Sequence, residues 1–502
     1  FSNYKRNYMK INKIIALSAS ILILSCREKN NEPLRNEEKN FAYQINWKSC
    51  KKSIKNNTNN KDEEIIGECG KINVPLDWGN QHGEKIELAL VRFKAKNPQE
   101  KIGSLFFNPG GPGGSAVDFV FDIVNSFSEL NDKFDFIGLD PRGIGGSKPI
   151  KCSDDLSLIP SFFPKNETEI LNLKLGTQRY YESCVKLSGS IVDYVDTESG
   201  IKDLEAVRVA LGGEKLNFLG FSYGTSIAAT YAQRYPQNSR ALVLDGVADF
   251  SKDLTRLIIT EAKAKKGVFK KFVKWCEDEA ECGNLNENNI SNIFHGLHAN
   301  YQYSIDNVEH VITKEEIIYQ FFYSLTHRTQ WSVQASLLKE LQQLNKTTTL
   351  NFKFDAYHNL KKINGPFSSV WCLDYPTKNM TWESYSELKN TSKKEFPLLN
   401  GITNQLLGIG LCTGWASPRT APLMKKHTII MKQPALLVTS LFDAITPPEW
   451  AKYKAEQIPG SKIIYFTGNA HGSYFHSKCV QQKVNEFLIT AQLPLNNITC
   501  NE

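Results

Sequence analysis

Leu216-Asn-Phe-Leu-Gly-Phe-Ser-Tyr-Gly-Thr-Ser-Ile-Ala-Ala-Thr-Tyr-Ala232 decides how this chain is read, and Ser222 stands at its centre. Leu216, Phe218 and Leu219 predict a short buried strand, and Ser226 to Tyr235 predicts a helix of small and apolar residues. Between them Gly220-Phe-Ser-Tyr-Gly224 has the G-x-S-x-G pattern of a nucleophile elbow. A strand that turns at once into a helix holds its middle residue in a strained conformation. Glycine on both sides relieves the crowding and leaves the serine hydroxyl exposed. The helix start behind it supplies free N–H groups for a developing oxyanion.

Downstream, Pro434-Ala-Leu-Leu-Val-Thr439 predicts an apolar strand, followed by Ser440-Leu-Phe-Asp443-Ala-Ile-Thr-Pro-Pro448. An acid just past a strand end, in a turn stopped by prolines, suits the Asp of a catalytic triad. Lys462 to Phe466 is the last expected strand, and Gly468-Asn-Ala-His471-Gly-Ser carries the candidate base. His476 is a nearby rival, but it lacks the preceding strand and glycine turn. The order Ser222, Asp443, His471 differs from the orders found in chymotrypsin and subtilisin.

Upstream, the strand Gly103-Ser-Leu-Phe-Phe107 runs into Asn108-Pro-Gly-Gly-Pro-Gly-Gly-Ser115. No Lys-Ser/Thr follows at Walker spacing, so a phosphate loop does not fit. Packed glycines also permit close backbone approach to a substrate oxygen, which makes the N–H groups of Gly111 and Tyr223 the candidate oxyanion donors. Ile86 to Phe93, Phe134 to Asp140 and Arg240 to Gly246 predict further strands, and Asp203 to Leu211 an amphipathic helix. Strand alternating with helix argues for a doubly wound, mostly parallel sheet. Arg142, in Asp140-Pro-Arg-Gly143, reads as a buried ion-pair partner and not as a catalyst.

These segments, with Val74-Pro-Leu-Asp-Trp78 and Leu244-Asp-Gly-Val247, resemble those of the secreted tripeptidyl aminopeptidases. That group belongs with the prolyl aminopeptidase branch of the α/β-hydrolases. The resemblance runs from about Cys50 to Cys500 and is weakest in the middle. Prolyl aminopeptidases carry His-Gly-Gly-Pro-Gly where this chain has Pro109 in the His place, which favours the tripeptidyl branch. Ala470 replaces a family glycine before His471. The resemblance implies an α/β-hydrolase fold and a serine exopeptidase that acts on peptides with a free amino terminus through an acyl-enzyme. Ser222 would be the nucleophile, His471 the general base and Asp443 its orienting partner.

The strand rhythm stops between Phe250 and Pro434, where Glu261 to Trp275, Glu315 to Thr326 and Ser332 to Leu344 predict helices. The expected organisation is a core over 46–250, a mostly helical cap insertion over 251–433 and a second core part over 434–502. A separate helical domain with its own partner is the alternative reading of the insertion. An exopeptidase needs an acid to hold the substrate ammonium, and Glu261, Glu277, Glu315 and Asp374 are the candidates. The triad alone does not separate a peptidase from a carboxylesterase or lipase on the same fold. A non-catalytic peptide-binding surface lipoprotein is the rival from another class.

From Met9 the chain has a charged start, an apolar run from Ile14 to Leu24, and Ser25-Cys26. The run is too short to span a bilayer. Ile23-Leu24-Ser25-Cys26 resembles a bacterial lipobox, which predicts a signal over 1–26, lipidation of Cys26 and a polar tether over 27–45. An ordinary secretory signal is the alternative. The protein is therefore expected to be exported and lipid-anchored to a bacterial membrane. Of eleven cysteines, ten remain beside Cys26. Their order suggests the pairs Cys50–Cys69, Cys152–Cys184, Cys276–Cys282, Cys372–Cys412 and Cys479–Cys500, as befits export. No zinc-type spacing occurs, and neither a metal nor a cofactor is expected. The net charge of +7 over 502 residues is spread out. The densest basic run, Lys263 to Lys274, carries Val268, Phe269, Phe272 and Val273 at helical spacing and reads as an amphipathic helix. Nucleic acid is therefore not an expected partner.

Overall fold

The computed structural model describes residues 43–55, 62–154, 159, 161–305, 308–344, 349–350, 365–375, 377, 380–419 and 434–502. Cys26 and the expected signal lie outside them, as does the tether up to residue 42. Residues 43–502 form one unit, and Tyr43, expected in the tether, already packs its ring near Trp78.

Among the described residues ten strands make one sheet in the order β1-β2-β3-β5-β4-β6-β7-β11-β12-β13. They are β1 (Asn46–Lys55), β2 (Asp62–Pro75), β3 (Lys85–Phe93), β4 (Gly103–Asn108), β5 (Phe134–Leu139), β6 (Leu216–Phe221), β7 (Ser239–Asp245), β11 (Leu436–Ser440), β12 (Lys462–Phe466) and β13 (Ile498–Cys500). β1, β2, β3 and β5 pair antiparallel in turn. From β5 through β4, β6, β7, β11 and β12 to β13 every pairing is parallel.

The alternation of strand side chains explains why helices cover both faces. Leu105, Phe107, Leu219, Val243 and Val438 point into one cluster, with helices Ala116–Ile123 and Lys478–Thr490 packed on it. Phe106, Phe218, Leu242, Leu244 and Leu437 point into the other, shared with helices Thr197–Ala210 and Tyr223–Arg234. Central strands buried on both faces read as continuous apolar runs, which is why these were the strands visible in the sequence.

Between β7 and β11 the chain leaves the sheet. The expected helices are present as Leu254–Asp278, Lys314–Ser324 and Trp331–Gln343. Among the described residues four more, Glu287–Gly296, Gly365–Asp374, Trp382–Glu395 and Asn404–Cys412, were not anticipated. Nor was a small second sheet of β8 (Asn300–Ile305), β9 (Val308–Thr313) and β10 (Thr349–Leu350). The insertion is not walled off: Leu257, Val268, Phe269 and Phe321 share one buried cluster with Leu437 and Ala451 of the core.

Five disulfides join the pairs that chain order suggested: Cys50–Cys69, Cys152–Cys184, Cys276–Cys282, Cys372–Cys412 and Cys479–Cys500. Such a set is the mark of an exported protein. Among the described residues no helix is long and apolar enough to cross a membrane.

Candidate active site

Ser222 sits between β6 and helix Tyr223–Arg234 with φ 53° and ψ −123°. That backbone region is costly for any residue with a side chain. The glycines on either side are there for space. A Cβ on Gly220 would lie 2.5 Å from the Gly224 carbonyl, and one on Gly224 would lie 2.7 Å from the carbonyl of Asn108. The second glycine therefore also admits the neighbouring loop. The elbow is pinned by the Ser222 N–H donating to the Asp245 carbonyl at 2.9 Å and by the Thr225 hydroxyl donating to the Ser222 carbonyl at 2.6 Å.

The Asn108–Ser115 loop folds onto this elbow. Asn108 Oδ1 accepts the Gly110 N–H at 2.9 Å. Gly110 has φ 87°, and a Cβ there would stand 2.4 Å from the Phe221 carbonyl and 2.9 Å from the Tyr223 nitrogen. Gly111, Ser222 and Tyr223 line one cavity as a result. No described hydrogen bond uses the N–H of Gly111 or Tyr223.

Asp443 follows β11 and is fully buried. Its Oδ1 accepts the N–H groups of Ile445 and Thr446, both at 2.9 Å. Its Oδ2 accepts the Thr446 hydroxyl and pairs with His471 Nδ1, both at 2.8 Å. These bonds satisfy the carboxylate in its charged form and aim one oxygen at the imidazole. His471 lies past β12, where the conformation of Gly472 (φ 81°) turns the chain. Gly246 gives the ring room, since a Cβ there would be 3.3 Å from His471 Cε1. Burial opposes the imidazolium, but the adjacent Asp443 carboxylate outweighs it, with help from Asp245, and raises the His471 pKa above its ordinary 6.5. Ser222 and His471 line the same cavity. His476 is exposed and is not among that cavity's lining residues.

Two contributors escaped the sequence reading. Asp245, at the end of β7, accepts the Ser473 and Tyr474 N–H groups at 2.9 and 2.8 Å, holding the turn just after His471. Burial raises its pKa to about 6. The signal was an acid ending an apolar strand. Thr446 lay within the quoted turn, but its bond to Asp443 needed the fold.

The cavity has a volume of about 580 Å³. Aromatic rings make up a good part of its walls. Tyr319 and Tyr323, Phe367 and Trp371, and Asn404 to Leu411 come from three insertion helices, while Phe250 and Trp450 flank the core side. None of the four acids proposed to hold an ammonium is among its described lining residues. Glu261 lies behind the wall, accepting the Asn404 and Gln405 N–H groups at 2.5 and 3.2 Å and pairing with buried Lys265 at 3.5 Å. Glu315 pairs with Lys165 at 3.1 Å, and Glu277 is exposed. Asp374 is buried against Tyr223 and Thr197. Arg142, as expected, forms a buried pair with Asp203 at 2.6 Å. Among the described residues no group of three or more His, Cys, Asp or Glu side chains could hold a metal ion.

A doubly wound sheet that carries a strained serine elbow, a buried Asp–His pair and a glycine loop on one cavity is a hydrolase, and the chain is an α/β-hydrolase. The α/β hydrolase fold family matches residues 103–282, and the family described as TAP-like protein matches residues 401–500. The chain is similar to serine protease Hip1 of Mycobacterium tuberculosis, at 27% identity over 97% of this chain and 96% of that one. It is similar also to tripeptidyl aminopeptidase of Streptomyces lividans, at 27% identity over 86% of this chain and 83% of the relative. Carboxylesterase B of M. tuberculosis is 25% identical over 91% and 90% of the two chains.

Proposed function

We propose that this protein is a serine exopeptidase that releases short peptides, tripeptides foremost, from free amino termini. Ser222 Oγ attacks the scissile carbonyl while His471 takes its proton. The C–N bond then breaks as His471 returns that proton to the leaving amine, and water hydrolyses the acyl-enzyme by the same route. Asp443 holds the imidazole tautomer, and the N–H groups of Gly111 and Tyr223 receive the oxyanion. The insertion, residues 251–433, is the cap.

The observation that carries this reading is the cavity that Ser222 and His471 share with three insertion helices. Its volume falls in the range of pockets that enclose small ligands, and it suits a short chain end better than a polypeptide passing through. A free ammonium there would lie among the rings of Tyr319, Tyr323 and Trp371, with Glu261 one layer behind. The names of the Hip1 and Streptomyces relatives support a peptide substrate. Lipidation at Cys26 would tether the exported enzyme to the membrane.

The lack of a carboxylate among the described lining residues favours a second reading, a carboxylesterase, and one relative bears that name. The test compares an Ala-Ala-Pro amide, its N-acetylated form, single-residue amides and a short-chain ester. Cleavage of the free tripeptide alone is the expected result. Equal cleavage of blocked and free peptides, or ester hydrolysis alone, overturns the exopeptidase reading. Failure of a fluorophosphonate to label Ser222 would leave a peptide-binding protein.

A further inference from the structure

One insertion helix, Gly365–Asp374, touches both sources of the oxyanion N–H groups. In its first turn it lies against the glycine loop, where a Cβ on Gly113 would stand 3.2 Å from the Phe367 nitrogen and 3.5 Å from Pro366 Cβ. Its last residue, Asp374, reaches the other source. Asp374 Oδ2 accepts the Tyr223 hydroxyl and, at 2.8 Å, the Thr197 hydroxyl. Its Oδ1 accepts the Thr197 N–H at 3.0 Å. Thr197 Oγ1 and Tyr223 OH are themselves 2.6 Å apart. All three side chains are buried. The helix is bridged through Cys372 to Cys412, at the end of helix Asn404–Cys412, which forms another wall of the cavity.

Tyr223 directly follows the nucleophile. Its ring is a stiff lever with two rotatable bonds, held at one end by the elbow and at the other by Asp374. Fixing the hydroxyl therefore limits how far the near end, with its backbone N–H, can move. An oxyanion donor is useful only when it is aimed before the charge develops.

We infer that Asp374 is a positioning residue, which holds the Tyr223 hydroxyl so that the Tyr223 N–H is aimed as an oxyanion donor when this insertion helix is seated. The inference rests on the serine-hydrolase part of the proposed function, and it takes Asp374 out of contention as the ammonium-binding acid.

The test uses the full chain with Tyr223→Phe, Asp374→Asn, Asp374→Leu and the Tyr223→Phe/Asp374→Leu pair. Active sites are counted by complete fluorophosphonate labelling, and kcat and KM are measured on the free tripeptide amide and on a short ester. Affinity for a peptide boronate, which forms the tetrahedral adduct, is measured alongside. Tyr223→Phe and Asp374→Leu are expected each to lower kcat per labelled site about 10-fold or more. That is less than the roughly 100- to 1,000-fold cost of losing a donor outright. KM should hold, boronate affinity should fall with kcat, and the double variant should be no worse than either single one. Asp374→Asn, which keeps an acceptor, should recover part of the loss. Unchanged kcat per labelled site with only a lower melting temperature, or additive losses in the double variant, would overturn the inference. Ester turnover with no peptide turnover sinks the exopeptidase reading and leaves this test intact, whereas no turnover of either substrate sinks both.

Discussion

Asp245 grips Ser222 and the turn after His471 at once: its backbone carbonyl accepts the Ser222 N–H at 2.9 Å, and its carboxylate accepts the N–H groups of Ser473 and Tyr474. One residue at the end of β7 thus sets the spacing of the proposed nucleophile and the proposed base, which arrive from opposite halves of the chain.

The carboxylate bears an electrostatic cost. Its pKa of about 6 is above the ordinary 3.9, so the folded state binds the proton more tightly than the unfolded one. Ionisation therefore costs stability, about 3 kcal/mol above pH 6, and the cost disappears as pH falls below 4. Asp245→Asn removes that cost but leaves one backbone N–H facing an amide NH₂, at about 1–3 kcal/mol. The two effects oppose each other. The variant should melt near the wild type at pH 7.5 while kcat drops about 10-fold or more, as a misplaced base does. Unchanged kcat would show that the turn after His471 needs no such grip.

Ser222 stores strain in its backbone. At φ 53° and ψ −123° a side chain costs about 1–3 kcal/mol, more than the 0.5–1 kcal/mol or so that glycine loses through chain entropy. Ser222→Gly should therefore melt above the wild type, and Ser222→Ala close to it. Both should lack turnover. Thermal melts give the order directly, and a glycine variant that melts below the alanine one would contradict the strained elbow.

The Asp443–His471 pair predicts a pH profile. The proposed base must be neutral, and its pKa is raised above 6.5, so kcat/KM should climb with pH through a midpoint above 6.5. Asp443→Asn should move that midpoint down and lower kcat by about 10⁴. The stability sign is opposite. A raised histidine pKa contributes stability below about pH 6.5, and this is lost as pH rises through the folded value. Asp443→Asn should therefore cost more stability at pH 6 than at pH 9. A midpoint unmoved by the substitution would separate the limb from His471.

The strands before Ser222 and Asp443 could be read from sequence because they lie in the sheet's parallel middle, where burial on both faces leaves an unbroken apolar run, and the strand before His471, one place from the sheet's edge, still buries Ile463, Ile464 and Phe466. The β1–β2 hairpin was illegible for the opposite reason. Its Lys51, Lys52, Glu63 and Glu64 are wholly or partly exposed, and its hydrophobic signal is thin. Gly365–Asp374 buries polar and apolar residues alike, with Ser368, Ser369, Val370, Cys372, Leu373 and Asp374 all buried, so no amphipathic period marks it. The candidate acids of the insertion could not be sorted for a deeper reason. Sequence shows that a carboxylate exists, but whether it faces a cavity, a lysine or a tyrosine is decided by packing between distant segments. Asp374 and Tyr223 are 151 positions apart.

Arg142 tests how the first half of the core is braced. Its guanidinium pairs with Asp203 and donates to the carbonyls of Pro75, Leu76 and Tyr194 at 2.7–3.0 Å, the bond to Tyr194 partly and the others fully buried. Burial raises the Asp203 pKa, and Arg142 with the Trp78 indole N–H opposes that rise. Arg142→Met leaves a buried carboxyl without its cation and should cost about 3–5 kcal/mol. The deficit should grow as pH rises, because the unpaired acid is destabilising only where the unfolded chain would ionise it. Arg142→Met/Asp203→Leu removes the stranded charge and should recover part of the loss. Recovery should stay incomplete, since three carbonyls still lack their donor. Denaturant titrations at pH 5 and pH 8 measure all of this. Full recovery in the double variant would mean that the ion pair, and not the carbonyl bonds, is what Arg142 contributes; a single variant as stable as the wild type would mean that neither matters to the fold.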